Sequence, residues 1–144
     1  MKRIEGKRFN DLFCAGDSLW LDVGDNFTDE DGDPLPEYAL HIVGRCRIEK
    51  NGEVLLELAD LYKEYGMNGS KSNADPRFAP IRKSLVGTRV AEVIHTEKND
   101  LTVRMTDGTA VVFEAYESAF WGLYPHHDYS PLISFGTEDV QIWR

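Results

Sequence analysis

Asp25, Asp29, Asp31 and Asp33 crowd into the stretch Asp25-Asn26-Phe27-Thr28-Asp29-Glu30-Asp31-Gly32-Asp33. Oxygen ligands at alternate positions ahead of a glycine are what a hard cation such as calcium needs. The register of a twelve-residue calcium loop is not met, however. With Gly32 at the sixth position, Phe27 falls at the first and Tyr38 at the twelfth, and neither can ligate. The chemistry left to these residues is electrostatic. Four aspartates on a solvated loop attract a basic surface and accelerate encounter with it. They are the candidate partner-binding residues, and the expected partner is a basic protein.

His126-His127-Asp128 is the one histidine cluster, and its members are the candidate ligands for a metal or a small molecule. Adjacent histidines on a strand point to opposite faces and seldom share one ion. A third ligand would have to be His41 or His95, and nothing in the sequence brings either close. A polar turn between Pro125 and Pro131 is expected instead, with no metal and no cofactor. Gly66-Met67-Asn68-Gly69-Ser70-Lys71-Ser72 lacks the Gly-Lys-[Ser/Thr] of a phosphate-binding loop, because Ser70 intervenes. Cys14 and Cys46 are 32 residues apart and form no CxxC or zinc pattern. They are expected to be free, buried and inert, since a buried thiol is a poor nucleophile. Glu53 and Glu57 fall on an outward strand face, where solvation makes them poor general acids. No catalytic residues are therefore assigned.

The charge is lopsided. The chain of 144 residues has 16 Lys and Arg against 25 Asp and Glu, a net charge of −9. No Lys or Arg occurs from Phe9 to Gly44, while nine acids do, so the whole net charge sits in that quarter and the remainder is neutral. An overall acidic balance disfavours nucleic acid and anionic membrane as partners, because counterion release needs a positive surface. The C-terminal aromatics Tyr116, Phe120, Trp121, Tyr124, Tyr129, Phe135 and Trp143 have no Lys or Arg among them between Asp107 and Val140, which disfavours base stacking. Trp121, Phe120 and Phe135 are expected to close one end of the core. No secretory signal follows the basic start and no membrane-length apolar run occurs, so a cytoplasmic protein is expected.

The elements that would position these residues read mainly as β. Composition, at 42% apolar and 28% charged, is that of one globular domain, here 1–144. The first strand signal is Ser18 to Val23, followed by an acidic loop from Gly24 to Pro36. From Tyr38 to Glu49 apolar and polar residues alternate without a break, which predicts one long half-buried strand. The next hairpin is predicted to turn through three residues, Lys50-Asn51-Gly52, pairing Ile48 with Val54, Cys46 with Leu56 and Arg45 with Glu57. Residues 63–82, rich in Gly, Asn, Ser and Pro, read as a long loop. A meander of three strands follows over 89–96, 101–105 and 109–115. Residues 114–123 read as a short helix, and 140–143 as a last strand. The expected architecture is antiparallel, about seven strands in a sandwich or strongly curved sheet with one or two short helices; α+β is the alternative.

The stretch Leu85-Val86-Gly87-Thr88-Arg89-Val90-Ala91-Glu92-Val93, with Asn99-Asp100-Leu101-Thr102-Val103 and Asp107-Gly108-Thr109-Ala110-Val111-Val112-Phe113, resembles a pattern in small uncharacterised bacterial β-rich proteins. Some of those lie beside polymorphic toxin genes as immunity proteins. The resemblance spans about 30 of the 144 residues and rests on strand–turn–strand grammar. It implies a small cytoplasmic protein and transfers no site residues. Together these readings favour a non-enzymatic protein-binding module, an immunity-type inhibitor of a basic partner. A small-ligand or metal-binding protein using the 126–128 region is the second expectation. A homodimer through an edge strand or the aromatic end is the third.

Overall fold

The alternation from Tyr38 to Glu49 is present, but the chain does not run straight through it. In the computed structural model, which describes residues 2–116, 119–125, 133–136 and 140–142, it breaks at Gly44. Strand β3 (Pro34–Val43) belongs to one sheet and β4 (Cys46–Lys50) to another. Gly44 has φ +117°, and a Cβ there would lie 2.5 Å from that of Ala119. The corner thus requires glycine twice over, for its backbone and for its lack of a side chain. Glycine also fits the inward parity of the pattern, so the predicted single strand is corrected to two.

Two antiparallel sheets result, with every neighbouring pair antiparallel. The first has six strands: β1 (Phe9–Ala15), β2 (Ser18–Thr28), β3, β9 (Phe120–Pro125), β10 (Ile133–Gly136) and β11 (Val140–Ile142), in that spatial order. The second has five, ordered β5 (Glu53–Glu57), β4, β8 (Thr109–Phe113), β7 (Leu101–Met105) and β6 (Val90–His95). Inward rows such as Leu12-Leu21-Leu40-Leu123 and Cys14-Leu19-Ile42-Trp121 on the first sheet share one buried cluster with Ile48, Val111, Val103 and Val93 of the second. The mainly β reading and the meander hold. A second seam joins the sheets where Arg8 bridges Arg89. Gly6 there donates to Val90 O at 2.8 Å, and Val90 donates to Lys7 O at 2.8 Å.

Four other expectations are corrected. Strand β1 was not legible because a bulge between Phe9 and Asp11 breaks its period. Residues 63–82 are not loop. Helices α1 (Leu58–Tyr65), α2 (Gly69–Ala74) and α3 (Ala79–Ser84) occupy most of that span. The residues that read as breakers are their caps: Gly66 ends α1 at φ +57°, Asn68 accepts from Lys71 N to open α2, and Pro80 lies in the first turn of α3. Over 114–123 there is no helix among the described residues, and Phe120 instead opens β9, with Trp121, Leu123 and Pro125 buried on its inner side. Finally, the hairpin between β4 and β5 turns through Asn51-Gly52 alone, both at positive φ, so Lys50 faces Glu53. A bulge beyond it then skips one residue, which sets Ile48 opposite Leu56 and Arg47, not Arg45, opposite Glu57.

The helices close an edge. The Asn73 side chain of α2 accepts from Cys14 N at 2.6 Å and donates to Cys14 O at 3.0 Å, as a neighbouring strand would. Free sheet edges invite intermolecular pairing, and covering them is the usual remedy. Gly69 permits the approach, since a Cβ there would sit 2.8 Å from Cys14 O. Asp75, almost wholly buried, is gripped by Arg77 at 2.9 and 3.0 Å and by the Tyr65 hydroxyl at 2.6 Å. These bonds hold its carboxyl well below the usual range.

Candidate functional site

The acidic stretch is an arm. Strands β2 and β3 stay paired after their neighbours have ended. The last partner β1 supplies is Phe9, opposite Val23, and the last from β9 is Pro125, opposite Tyr38. Beyond these, Asn26 faces Pro36, Phe27 faces Leu35 and Thr28 faces Pro34. The arm is therefore a two-stranded ribbon among the described residues, and the predicted loop over Gly24 to Pro36 shrinks to its tip. Pro34 and Pro36 lack amide hydrogens, so this ribbon is a poor template for strand addition.

The tip is locally ordered by its own acids. Asp29 Oδ1 accepts from Asp31 N at 2.9 Å and from Asp33 N at 2.8 Å. Asp29 N donates to Asp33 O, and Gly32 N donates to Asp29 O, with Gly32 at φ +84°. An aspartate that satisfies the backbone two residues on is the usual way to stiffen such a turn. The base is tied down separately. Arg8 Nε meets Asp25 Oδ1 at 2.6 Å, and Lys7 Nζ meets Glu37 Oε2 at 2.8 Å. That hydrogen bond raises the Lys7 pKa. Asn10 bonds Asn26 Oδ1 at 2.7 Å. The four candidate residues thus divide. Asp25 is neutralised, Asp29 shapes the turn, and Asp31 and Asp33, joined by Glu30, are exposed with no ion pair among the described residues. The sequence reading missed Lys7 and Arg8. Their signal was the run of bases before Phe9, which abuts the acidic quarter.

A second cluster lies on the outer face of the six-stranded sheet. Phe13, Trp20 and His41 occupy facing positions on β1, β2 and β3. Their rings are nearly parallel, with Trp20 and His41 centroids 4.1 Å apart. Trp20 and His41 thus cover one another's faces, and Phe120 meets His41 edge-on with centroids 5.9 Å apart. Burial lowers the His41 pKa. In the next row Asp22 stands opposite Asp11. Asp11 is held by both arms of Arg82, at 2.9 and 3.0 Å. Asp22 has no such partner among the described residues, and burial, reinforced by the charge of Asp11, pushes its carboxyl up to about 7.

Among the described residues, the remaining candidates are not gathered into a site. His126, His127 and Asp128 lie outside the described residues. His41 is on the first sheet and His95 on the second, where His95 bonds Asn99 and meets Trp121 edge-on. No group of three metal-ligating side chains occurs among the described residues. Cys14 and Cys46 are both free and buried. Burial pushes the Cys14 thiol up to about 11, and that of Cys46 higher still. Trp121 is fully buried and donates to Asn99 O at 3.0 Å, while Phe120 is only partly covered. No described helix is long and apolar enough to cross a membrane. Comparison with protein-family models, curated proteins and solved structures found no match.

Proposed function

We propose that this chain is a non-enzymatic protein-binding module whose acidic arm masks a basic partner, in the manner of an immunity-type inhibitor. The observation that carries this reading is the ribbon itself. It leaves the sheet as two strands and ends in a turn that Asp29 stiffens, and it presents Glu30, Asp31 and Asp33 without counter-ions among the described residues. A preordered tip loses little conformational entropy on docking. Its charge raises the association rate by steering, an effect that ranges over roughly ten- to a thousandfold in charged pairs. Phe27 and Leu35, paired across the ribbon and partly covered, supply apolar contact area behind the charges. On this reading the protein works in the cytoplasm, where its two buried thiols stay reduced.

The test is a pull-down of the partner from the native host, followed by association kinetics at low and high salt. Glu30→Gln, Asp31→Asn and Asp33→Asn together remove charge without touching the turn bonds that Asp29 makes or the Arg8–Asp25 pair. The triple variant should associate about tenfold more slowly in low salt and lose most of the salt dependence, with dissociation little changed. An association rate unaffected by these three substitutions refutes the arm as the docking element.

A further inference from the structure

A cleft of about 370 Å³ opens beside the seam where the two sheets meet. Phe9 and Val86 give it an apolar floor and lip, and Arg8, Asn26, Gly87 and Arg89 complete the lining that matters here. This volume is at the small end of those that take small molecules. We propose that this cleft binds a carboxylate attached to a short apolar group, a ligand unrelated to the basic partner of the arm.

Three observations carry the assignment. First, the lining contains two guanidiniums and no carboxylate. Arg89 donates from Nη1 to Gly6 O at 3.0 Å and has no ion pair among the described residues, so the rest of its planar fork is open to an anion. An arginine fork matches the two oxygens of a carboxylate. Second, two residues with neutral donors line the same cleft. The Gly87 N–H has no backbone acceptor among the described residues. The Oδ1 of Asn26 accepts from Asn10 at 2.7 Å, which leaves the Asn26 amide hydrogens to donate elsewhere. Third, the charge count selects the ligand class. Arg8 is already matched to Asp25 at 2.6 Å, so Arg89, with no ion pair among the described residues, supplies the positive charge that a ligand in this cleft would meet. One charge favours a carboxylate over a doubly charged phosphate. Phe9 and the Val86 side chain, with Val86 74% exposed at the mouth, provide contact for a short branched aliphatic group such as isopropyl.

The same chemistry belongs to a free small acid and to the C-terminus of a peptide ending in an aliphatic residue. Both are distinguished by following the backbone amide of Gly87 by NMR in the full chain, with ionic strength held constant. Sodium isobutyrate should shift that resonance saturably, and isobutyramide should not. Arg89→Gln and Val86→Asp should each weaken isobutyrate binding at least tenfold. The second variant alters only an exposed side chain, so it leaves the fold intact. Tighter binding of N-acetyl-alanyl-valine than of isobutyrate assigns a peptide terminus; equal or weaker binding assigns a free acid. Shifts that do not saturate, equal shifts with the amide, or unchanged affinity in both variants would overturn the proposal. So would inorganic phosphate binding more tightly than isobutyrate.

Discussion

Replacing Asp22 with asparagine should stabilise the protein, and only above a definite pH. Asp22 lies on the outer face of β2, opposite Asp11 of β1 and Ala39 of β3. Asp11 is neutralised by Arg82 of α3, so no cation among the described residues is left for Asp22. Its carboxyl is raised from 3.8 to about 7, by burial first and by Asp11 second. Below pH 3.8 the group is protonated in the folded and unfolded chains alike, and it imposes no cost. As the pH rises toward 7 the unfolded chain releases this proton while the folded chain retains it. Stability therefore falls across that window and levels off above it. At about 1.4 kcal/mol per pH unit the ceiling is roughly 4 kcal/mol. Asp22 is partly exposed, and solvent screening reduces this to about 2 kcal/mol. Asparagine keeps the shape of the protonated acid and cannot ionise. Asp22→Asn should thus melt with the parent at pH 4 and about 4–8 °C above it at pH 8, using the usual relation for a chain of this size. Thermal unfolding followed by circular dichroism at the two pH values decides the matter. An equal gap at both, or a variant no more stable than the parent at pH 8, refutes the account.

Gly44→Ala should cost at least about 2 kcal/mol, because it adds a contact with Ala119 to an unfavourable φ; chemical denaturation measures this. Asn73→Ala removes both bonds to the Cys14 backbone. It should destabilise by about 2 kcal/mol and also promote concentration-dependent association, since it uncovers the β1 edge; light scattering reads the second effect. Ser72 is fully buried and its hydroxyl finds no hydrogen-bond partner among the described residues. Ser72→Ala should therefore leave stability unchanged or raise it by up to about 1 kcal/mol, and a clear loss on denaturant titration would reveal a partner for that oxygen.

Why some elements were legible and others not follows from what each rests on. The meander over β6, β7 and β8 could be read because its turns carry Asn99 and Gly108, both at positive φ, and because β7 and β8 bury every second residue, Leu101, Val103 and Met105 on one and Thr109, Val111 and Phe113 on the other, although β6 is bulged between Val90 and Glu92. The 58–84 span misled because no helix in it exceeds eight residues, too short for periodicity to outweigh the caps. The β4–β5 hairpin misled for a different reason. Parity argued against an Asn51-Gly52 turn, because Ile48 would then face Leu55. The chain keeps the turn and bulges beyond it, so Leu56 still reaches the core while Val54 is 49% exposed. A bulge has no sequence signature of its own here, and the observed register buries Leu56 while giving up Val54, which the three-residue loop would have placed opposite Ile48.

The acidic quarter was visible as a count of charges, yet a count assigns no roles. Asp25 and Asp33 look equivalent in sequence; in space one faces Arg8 and the other no cation among the described residues. The difference comes from the residues that lead into β1. They run along the seam beside Arg89, which carries Lys7 and Arg8 to the foot of the ribbon. Charge is thereby compensated at the base and left bare at the tip, where the Debye length of about 8 Å at physiological salt lets it reach an approaching surface. A uniformly acidic loop would repel itself along its length and splay. Pinning the foot with two ion pairs and the turn with Asp29 allows the remaining carboxylates to stay close together on an ordered ribbon.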